Sequence, residues 1–323
     1  MKKALILTDG KAGHENQSKA FARAIKCDFD IIAVRFRSRA AKALSYLFDN
    51  LRIASTRLFE IAGDGRFDPA AGGYDVVIGT GSGTFYAAKT IARRIGKPCA
   101  VVLYPRGYRI RSFDCILAPE FDDPPPAGNV VRLPVNLVAA DEAFYAEAVK
   151  AFRERHAPSG RPAVAVIIGG PNKCSTLEPE WMRERLEEIF GRHRGRSRPG
   201  DGAAGEDPEI WVTTSRRTPP GVESVVDSFP FDYKLIYSRD RFNPVPAFVS
   251  LASHLYVTAE STGMLSEACS FGKAEVHVLD NLKPGPHKFR RFAEACSARG
   301  SEKADLAPLF ESARRLLERS SAG

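Results

Sequence analysis

Glycines and ionisable side chains are crowded into one segment near the start of the chain. Directly after the apolar run Ala4–Leu7, residues 8–17 read Thr-Asp-Gly-Lys-Ala-Gly-His-Glu-Asn-Gln. Gly13 allows close approach of the backbone to a ligand, and the helix expected from about residue 16 offers free N–H groups to an anion. His14 or Glu15 can remove a proton from a hydroxyl group. An ordinary tight turn explains the glycines, but it does not require so many functional side chains.

Two loops in the second half of the chain suit an anionic ligand. The apolar run Ala163–Ile168 is followed by a glycine pair and a lysine, which permit close approach and neutralise phosphate charge. The run Ile210–Thr213 is followed by hydroxyl residues and adjacent arginines, which suit a diphosphate. A pair of solvated surface arginines is the alternative. The candidate residues in these loops are Gly169, Gly170, Asn172, Lys173, Ser215, Arg216 and Arg217.

A third candidate loop follows the run Leu255–Thr258 and leads into a predicted helix. Glu260 and Ser261 come first, and Ser266 and Glu267 lie on the helix. A serine that opens a helix presents its hydroxyl and the helix-end amides to a phosphate. A carboxylate further along the helix can hold the two hydroxyls of a ribose. The loop is therefore a candidate nucleotide site, with Glu267 as its central residue.

The elements that position these loops are predicted to be parallel strands joined by helices. Short apolar runs alternate with amphipathic helical patterns almost throughout the chain, which is typical of doubly wound α/β sheets. In such sheets, ligands bind beyond the carboxyl ends of the strands, where the candidate loops lie. We predict five strands in each half, without an exact sequence repeat.

A proline-rich segment interrupts the pattern near residue 134 and a Ser-Gly-Arg-Pro turn ends at residue 162. We therefore predict two Rossmann-like domains that face each other across a cleft. Residues 1–138 form the first domain, 139–161 a linker region and 162–301 the second domain. Residues 302–323 form a last helix that packs back on the first domain.

Composition excludes several classes of protein. The 323 residues are 44% hydrophobic and 27% charged, which is typical of a soluble globular protein. The apolar run at the start is too short for a signal peptide or a membrane span. Six cysteines without a C-x-x-C pair suggest reduced thiols in a cytoplasm. The net charge of +8 favours an anionic partner, but no nucleic-acid-binding signature accompanies it, so we expect no nucleic-acid ligand.

The segment 35–57 is strongly basic and contains apolar residues at helical spacing. Leu44, Leu47, Phe48 and Leu51 recur on one side of the predicted helix. A surface helix that buries this side on its own core is one interpretation. The other interpretation is a patch that docks the protein on an anionic membrane surface. The protein would then be cytoplasmic and bound peripherally at the inner face of the membrane.

Four ordered motifs give the chain a family resemblance that extends over nearly its whole length. They are DGKAGHENQS, GGPNK, TTSRRTP and TAESTGMLSEACSFGK, which begin at residues 9, 169, 213 and 258. The chain resembles the bacterial branch of the "elongated mitochondria" fission family, whose members are often catalogued as nucleoside-diphosphate-sugar epimerases. The second half is also similar to GT-B enzymes such as UDP-N-acetylglucosamine 2-epimerases and the N-acetylglucosaminyltransferase of peptidoglycan synthesis.

The resemblance implies a donor site in the second domain. It places Gly169, Gly170, Ser261, Ser266 and Glu267 at positions that hold the nucleotide in GT-B enzymes. The plant members of the family act in organelle division as interaction proteins. A bacterial-looking chain need not share that role, because a fold does not determine a function.

Three functions remain open from the sequence. The leading hypothesis is a GT-B-type glycosyltransferase that uses a nucleoside diphosphate sugar, with His14 or Glu15 as the base and a lipid-linked or cell-envelope acceptor. The alternatives are a nucleoside-diphosphate-sugar epimerase and a non-catalytic, fission-factor-like interaction protein. We expect no required cofactor and assign no metal site. The single D-x-D motif, Asp28 to Asp30, precedes a predicted strand and is interpreted as a surface turn.

Overall fold

The computed structural model describes residues 3–62, 69–70, 72–138, 141–194 and 207–322. The chain divides into two compact units. The first unit comprises Met1–Ala139 together with Asp305–Gly323, and the second comprises Ala140–Ala304. Each unit has its own sheet with helices on both faces.

The first unit is built on a seven-stranded sheet with the order β3-β2-β1-β4-β5-β6-β7. All neighbouring strands are parallel except β3, which pairs antiparallel with β2. The strands are β1 Lys3–Thr8, β2 Asp28–Phe36, β3 Phe59–Ile61, β4 Val76–Thr80, β5 Cys99–Val102, β6 Cys115–Pro119 and β7 Val130–Leu133.

The helices of the first unit cover both faces of this sheet. They are α1 Ala12–Ala24, α2 Arg39–Asn50, α3 Phe85–Ile95 and the last helix of the chain, α10 Ala307–Ala322; short 3-10 turns lie at Thr56–Leu58, Ile110–Ser112 and Glu120–Asp122. Alternate residues of β1 enter different cores, because successive strand side chains point to opposite faces. Leu5 packs with α3, whereas Ile6 packs with α1 and α10.

The second unit has a five-stranded parallel sheet with the order β10-β9-β8-β11-β12. Its strands are β8 Ala163–Ile167, β9 Glu209–Thr213, β10 Tyr233–Leu235, β11 His254–Thr258 and β12 Glu275–Leu279. Its helices are α4 Glu142–Arg155, α5 Pro179–His193, α6 Pro220–Ser228, α7 Val245–Leu251, α8 Thr262–Ser270 and α9 Lys288–Arg299. Met182 and Leu186 of α5 pack on one face of the sheet, and Phe152 of α4 packs on Trp211 on the other.

Several sequence-based expectations about the elements were wrong. The first sheet has seven strands instead of five, because the short strands β3 and β7 lack a long apolar run. Helix α1 begins at Ala12, about one turn before the expected start. Asp28 and Asp30 belong to β2 instead of a surface turn, and Asp30 accepts a hydrogen bond from the Tyr74 hydroxyl at 2.6 Å.

The region predicted as a linker contains a packed helix. Helix α4 belongs to the second unit, where Tyr145 and Phe152 are buried. These residues are seven positions apart and so lie on one side of the helix. At the end of the chain, α10 contacts β6 and β7 of the first unit and buries Ala313 and Leu317.

Candidate functional site

His14 and Asp9 form a hydrogen-bonded pair at the carboxyl end of β1. Asp9 follows the strand, and His14 lies on the first turn of α1. The imidazole Nδ1 lies 3.0 and 3.1 Å from the two carboxylate oxygens. An Nδ1–H that donates to Asp9 leaves Nε2 unprotonated, which is the tautomer a general base requires. The arrangement can therefore accept a proton from a hydroxyl group.

The carboxyl of Asp9 is held in its charged form. Burial alone would raise its pKa, but hydrogen bonds and charges from Lys11 and His14 outweigh burial and lower the pKa below its ordinary value. The Lys11 ammonium lies 3.0 Å from Asp9 Oδ2. A carboxylate that is charged at neutral pH stabilises the imidazolium that forms when His14 takes up a proton.

The glycine loop after β4 packs directly against this pair. Gly81 has φ +81°, and a Cβ at this position would lie 2.3 Å from His14 Cε1. A Cβ at Gly83 would lie 2.7 Å from the Asp9 Cβ. Any larger residue would displace the pair, so these glycines are required by close packing within the unit.

The other predicted residues of the first loop have different surroundings. Glu15 forms an ion pair with Lys19 at 2.6 Å, and the hydrogen bond from Lys19 lowers its pKa. A more acidic carboxyl is a weaker base, which favours His14 over Glu15. A Cβ at Gly13 would meet no other atom within 4 Å among the described residues, so intramolecular packing does not explain this glycine.

A cavity of about 770 Å³ in the first unit reaches Asp9. Its lining includes Arg35, Arg37 and Arg94, and Glu60 forms ion pairs with the first two at 2.9 Å. This volume is within the range of small-molecule sites. The arginines give the cavity a basic wall suited to an anionic group.

In the second unit, the Gly169–Gly170 turn lies at the carboxyl edge of the sheet between two candidate loops. A Cβ at Gly170 would lie 2.3 Å from the Arg217 carbonyl oxygen, and a Cβ at Gly169 would overlap Glu260 Oε1. The Thr218 hydroxyl donates to the Gly169 carbonyl at 2.6 Å. The structure therefore brings the glycine turn, the arginine loop and Glu260 together.

The side chains around this turn differ in how they are engaged. Arg216, Arg217 and Lys173 are exposed, and the described residues provide no ion-pair partner for either arginine. The Ser215 hydroxyl accepts from the Arg217 N–H, and Asn172 Oδ1 accepts from the Cys174 N–H, so both residues shape local turns. Unpaired arginines beside a glycine turn can contact phosphate oxygens.

Glu260 is a buried carboxyl with an unsatisfied oxygen. Only 4% of the residue is exposed. Its Oε1 accepts from the Thr258 hydroxyl at 3.1 Å, whereas Oε2 and the nearby Asn281 Oδ1 have no hydrogen-bond partner among the described residues. Burial raises its pKa, and the polar groups of Asn281, Thr258 and Gly170 nearby only partly offset this. Two unsatisfied buried acceptors favour a ligand that offers hydroxyl or N–H donors.

Helix α8 begins next to Glu260, and Ser261 is its N-cap residue. The Ser261 hydroxyl makes no capping hydrogen bond, so it does not satisfy the N–H groups of the first turn. Ser266 is buried, and its hydroxyl donates to the Thr262 carbonyl of the same helix at 2.6 Å. Ser261 is thus placed to meet an anion, whereas Ser266 is engaged within the helix.

Glu267, the residue favoured by sequence, is turned towards helix α4. The Tyr145 hydroxyl donates to Glu267 Oε1 at 3.3 Å, and the Tyr145 ring packs on Phe271. Burial raises the pKa of Glu267 to about 7, and the hydrogen bond from Tyr145 offsets only part of the effect. The structure therefore separates two roles: Glu260 contacts the glycine turn, and Glu267 contacts Tyr145.

Helix α2 presents apolar side chains to the outside of the first unit. The residues that it buries are Ala41, Ser45 and Asp49, spaced four apart. The exposed fractions of Leu47 and Leu51 are 52% and 59%. The segment is therefore a surface helix that buries one side, with Phe48 partly buried against the core, but its leucines are exposed. Among the described residues, no helix is both long and apolar enough to cross a membrane.

Sequence reasoning did not assign roles to Asp9, Asn281 or Tyr145. Asp9 was visible as a polar residue directly after a strand, which is a usable signal. Asn281 also follows a strand, in a loop that contains Asp280, Lys283 and Gly285, so the same kind of signal was present there but was not used. Tyr145 gave no signal, because its contact with Glu267 joins residues 122 positions apart.

Comparison with known families identifies relatives of this chain. The family model described as "Mitochondrial fission ELM1" matches residues 12–313. The mitochondrial fission protein ELM1 of Arabidopsis thaliana is 24% identical over 224 residues, which cover 61% of this chain and 50% of that protein. The chain therefore spans about half the length of this curated relative.

Solved structures share the fold at low sequence identity. The UDP-GlcNAc 2-epimerase of Neisseria meningitidis, solved with UDP-GlcNAc, has a TM-score of 0.53 and 12% identity, with both chains covered completely. MurG of Acinetobacter baumannii has a TM-score of 0.46 and 15% identity, with 99% of this chain and 94% of that chain covered. The likeness to the epimerase confirms the predicted α/β, GT-B-like fold class, and at this identity it is evidence of fold alone.

Proposed function

Because the chain belongs to the mitochondrial fission ELM1 family and has a GT-B-like fold, we propose that it is a glycosyltransferase that uses a nucleoside diphosphate sugar. The observation that supports this best is the edge of the second sheet, where Gly169 and Gly170 contact Glu260 and Arg217. The epimerase with the same fold was solved with a nucleotide sugar. A site built for such a ligand requires cations for the diphosphate and acceptors for its hydroxyls.

The diphosphate is proposed to bind beside the glycine turn. The glycines leave no side chain between the backbone and the ligand, and the exposed Arg216 and Arg217 supply the positive charge. The first turn of α8 adds N–H groups beside Ser261. As the sugar leaves, charge accumulates on the diphosphate, and these cations stabilise that charge. A metal is not needed for this step.

Glu260 is proposed to accept hydrogen bonds from the hydroxyls of the bound nucleotide sugar. Its Oε2 and Asn281 Oδ1 are buried acceptors that lack donors among the described residues. Leaving such groups unpaired costs roughly 1–3 kcal/mol each. Donors on the ligand recover that free energy, and this favours a polyhydroxylated ligand over an apolar one.

The base for the acceptor hydroxyl is proposed to be His14. Asp9 fixes the tautomer in which Nε2 accepts a proton, and the Asp9 charge stabilises the resulting imidazolium. The arginine-lined cavity that reaches Asp9 suits an acceptor with an anionic group, such as a phosphorylated lipid carrier or an acidic saccharide.

The donor assignment is tested by calorimetry and thermal shift with UDP-, GDP-, CMP- and ADP-sugars. Arg217→Gln is expected to weaken binding roughly tenfold or more, because it removes a charge-assisted hydrogen bond. Glu260→Gln is expected to weaken binding more than Glu267→Gln. Arg153→Gln is the matched control, because Arg153 is exposed in the last turn of α4, which leads into the amino end of β8 and not into the candidate loops. Binding that is unchanged in both Arg217→Gln and Glu260→Gln would overturn the assignment.

Turnover assays distinguish the transferase from the two alternatives. A transferase releases nucleoside diphosphate in proportion to an added acceptor, whereas an epimerase isomerises the nucleotide sugar without one. A non-catalytic protein of the fission type binds none of the nucleotide sugars in the panel. Loss of turnover in His14→Gln with unchanged donor affinity is the result expected for a base.

Membrane docking through helix α2 is a second proposal, supported by its outward leucines. Leu44, Leu47, Leu51 and Ile53 are exposed together, and Arg52 lies among them. A pocket beside this surface is lined by Arg93, Lys97 and Arg109, among others. Apolar side chains bordered by cations suit the surface of an anionic bilayer, where each cation near the surface contributes about 1 kcal/mol.

Sedimentation with vesicles tests this docking surface. The protein is expected to bind vesicles that contain phosphatidylserine and to dissociate as salt rises. Leu47→Ser combined with Leu51→Ser should abolish binding, whereas Phe144→Ser should not, although Phe144 is also exposed. Binding to vesicles that is equal in both variants, or dimerisation through α2 in sedimentation velocity, would contradict the proposal.

A further inference from the structure

Three metal-ligating side chains meet at the amino ends of two strands in the second unit. His254 begins β11, Glu275 begins β12 and His277 lies two residues further on. The strand register pairs His254 with Glu275, and all three residues lie on one face of the sheet. Among the residues that the structure describes, these three form the one group of His, Cys, Asp or Glu side chains whose ligand atoms all lie within 4.8 Å of one another.

The distances between these ligand atoms are short enough for one metal ion to bind all three residues. His254 Nδ1 lies 3.1 Å from His277 Nε2 and 3.5 Å from Glu275 Oε2. Glu275 Oε1 lies 3.8 Å from His277 Nε2. Zinc bonds of about 2.0–2.2 Å place tetrahedral ligand atoms roughly 3.3–3.6 Å apart. The three observed distances, 3.1, 3.5 and 3.8 Å, span this range.

Neighbouring aromatic groups hold the two imidazoles in place. The Tyr256 ring stacks on His277 with centroids 4.5 Å apart and an interplanar angle of 16°. The Tyr256 hydroxyl lies 2.8 Å from His193 Nε2, and the His193 ring lies 5.1 Å from the ring of His254. Three of the six histidines of the chain therefore lie in one cluster. Such supporting contacts orient imidazole ligands and strengthen metal binding.

Exposure and charge at the cluster suit a metal ion with one coordination position open to solvent. The side chains of His254, Glu275 and His277 are 33%, 50% and 22% exposed, so an ion can enter from solvent. Arg192 donates to the Tyr256 hydroxyl at 3.4 Å and adds positive charge nearby, which Glu275 counterbalances. Without an ion, His254 Nδ1 and His277 Nε2 can share at most one hydrogen bond, in which one nitrogen carries the proton and the other accepts.

We propose that His254, Glu275 and His277 bind a divalent transition-metal ion of the zinc type, with water as the fourth ligand. A set of two imidazoles and one carboxylate binds zinc in preference to magnesium or calcium. The ion would join β11 to β12, the strands that lead into the Glu260 and Asn281 loops. This site lies at the edge of the sheet opposite those loops, so it is independent of the proposed donor site.

Metal titration of the untagged protein tests the proposal. The probes are Zn²⁺ in calorimetry and Co²⁺ in visible absorption, where a tetrahedral site gives intense bands. One ion per chain is expected, together with a rise in the melting temperature as free Zn²⁺ increases. His254→Gln and His277→Gln are each expected to weaken binding by at least about tenfold, the smallest loss usual for residues around a metal.

Control variants separate this site from adventitious binding. Glu294→Gln removes an exposed carboxylate from α9 in the same unit and should leave the metal affinity unchanged, whereas Glu275→Gln should reduce it. Circular dichroism establishes that each variant is folded. Absence of stoichiometric Zn²⁺ binding, or binding that persists in the His254→Gln, His277→Gln double variant, would show that the two histidines simply hydrogen-bond to each other.

Discussion

Replacing Glu267 with glutamine is expected to stabilise the second unit at neutral and alkaline pH and to leave it unchanged in acid. Glu267 is half-buried beside Tyr145 and Phe271, where its charged form loses contact with water. Glutamine has the same shape, has no charge and can still accept the hydrogen bond from Tyr145. The substitution thus removes the cost of a buried charge without creating a cavity.

The magnitude follows from the pKa of about 7, compared with the ordinary 4.5 for a glutamate. Below pH 4.5 both the folded and unfolded states are protonated, so the wild type pays no penalty. Between pH 4.5 and 7 the unfolded state loses its proton first, and the wild type becomes less stable as pH rises. Above pH 7 the full difference is reached, up to about 3 kcal/mol at 1.36 kcal/mol per pH unit.

Urea unfolding followed by tryptophan fluorescence measures this difference. Both tryptophans, Trp181 and Trp211, lie in the second unit, so the signal reports on that unit. The free energy of unfolding of Glu267→Gln minus that of the wild type should grow from near zero at pH 4.5 to its full value by pH 8. The Glu294→Gln variant, which removes an exposed carboxylate, should show no such growth.

A difference that stays flat from pH 4.5 to 8 would refute the reasoning, because it would mean that Glu267 has an ordinary pKa in the folded protein. A difference that grows in the opposite direction would mean that Glu267 is stabilised as a charged group by a cation.

Three other predictions concern the proposed site and the glycine turn. Asp9→Asn should lower turnover by roughly 10²–10⁴-fold without changing donor affinity in calorimetry, since His14 loses the group that orients it; a change of less than threefold would contradict this. Gly170→Ala places a Cβ 2.3 Å from the Arg217 carbonyl oxygen, so it should cost roughly 1–3 kcal/mol in urea unfolding and weaken donor binding. Gly191→Ala is the control, because a Cβ at this position on α5 meets open space, and it should be neutral or stabilising by about 1 kcal/mol. Equal losses of unfolding free energy in Gly170→Ala and Gly191→Ala would exclude local crowding as the cause.

Sequence alone determined the class of fold and the identity of the loops that could bind a ligand. Apolar runs that alternate with helical patterns specify buried parallel strands, because only such strands need side chains without charge on both faces. The carboxyl ends of parallel strands lie at one edge, so the order of the chain already predicted that the loops at 169–173, 213–218 and 260–267 lie together. The proximity of the Gly169–Gly170 turn to Arg217 could be predicted in this way.

Only the tertiary structure decided which side chains within those loops act together. A helical pattern has the same period whichever side faces the core, so the sequence could not show that Leu47 and Leu51 point outward. The sequence favoured Glu267 over Glu260. It could not show which residues each carboxyl contacts, because those contacts depend on the rotation of α8 against its neighbours. His254 and His277 are 23 residues apart, and only the register of β11 with β12 brings their nitrogens to 3.1 Å. Local periodicity fixes elements, whereas contacts between distant residues depend on how those elements pack.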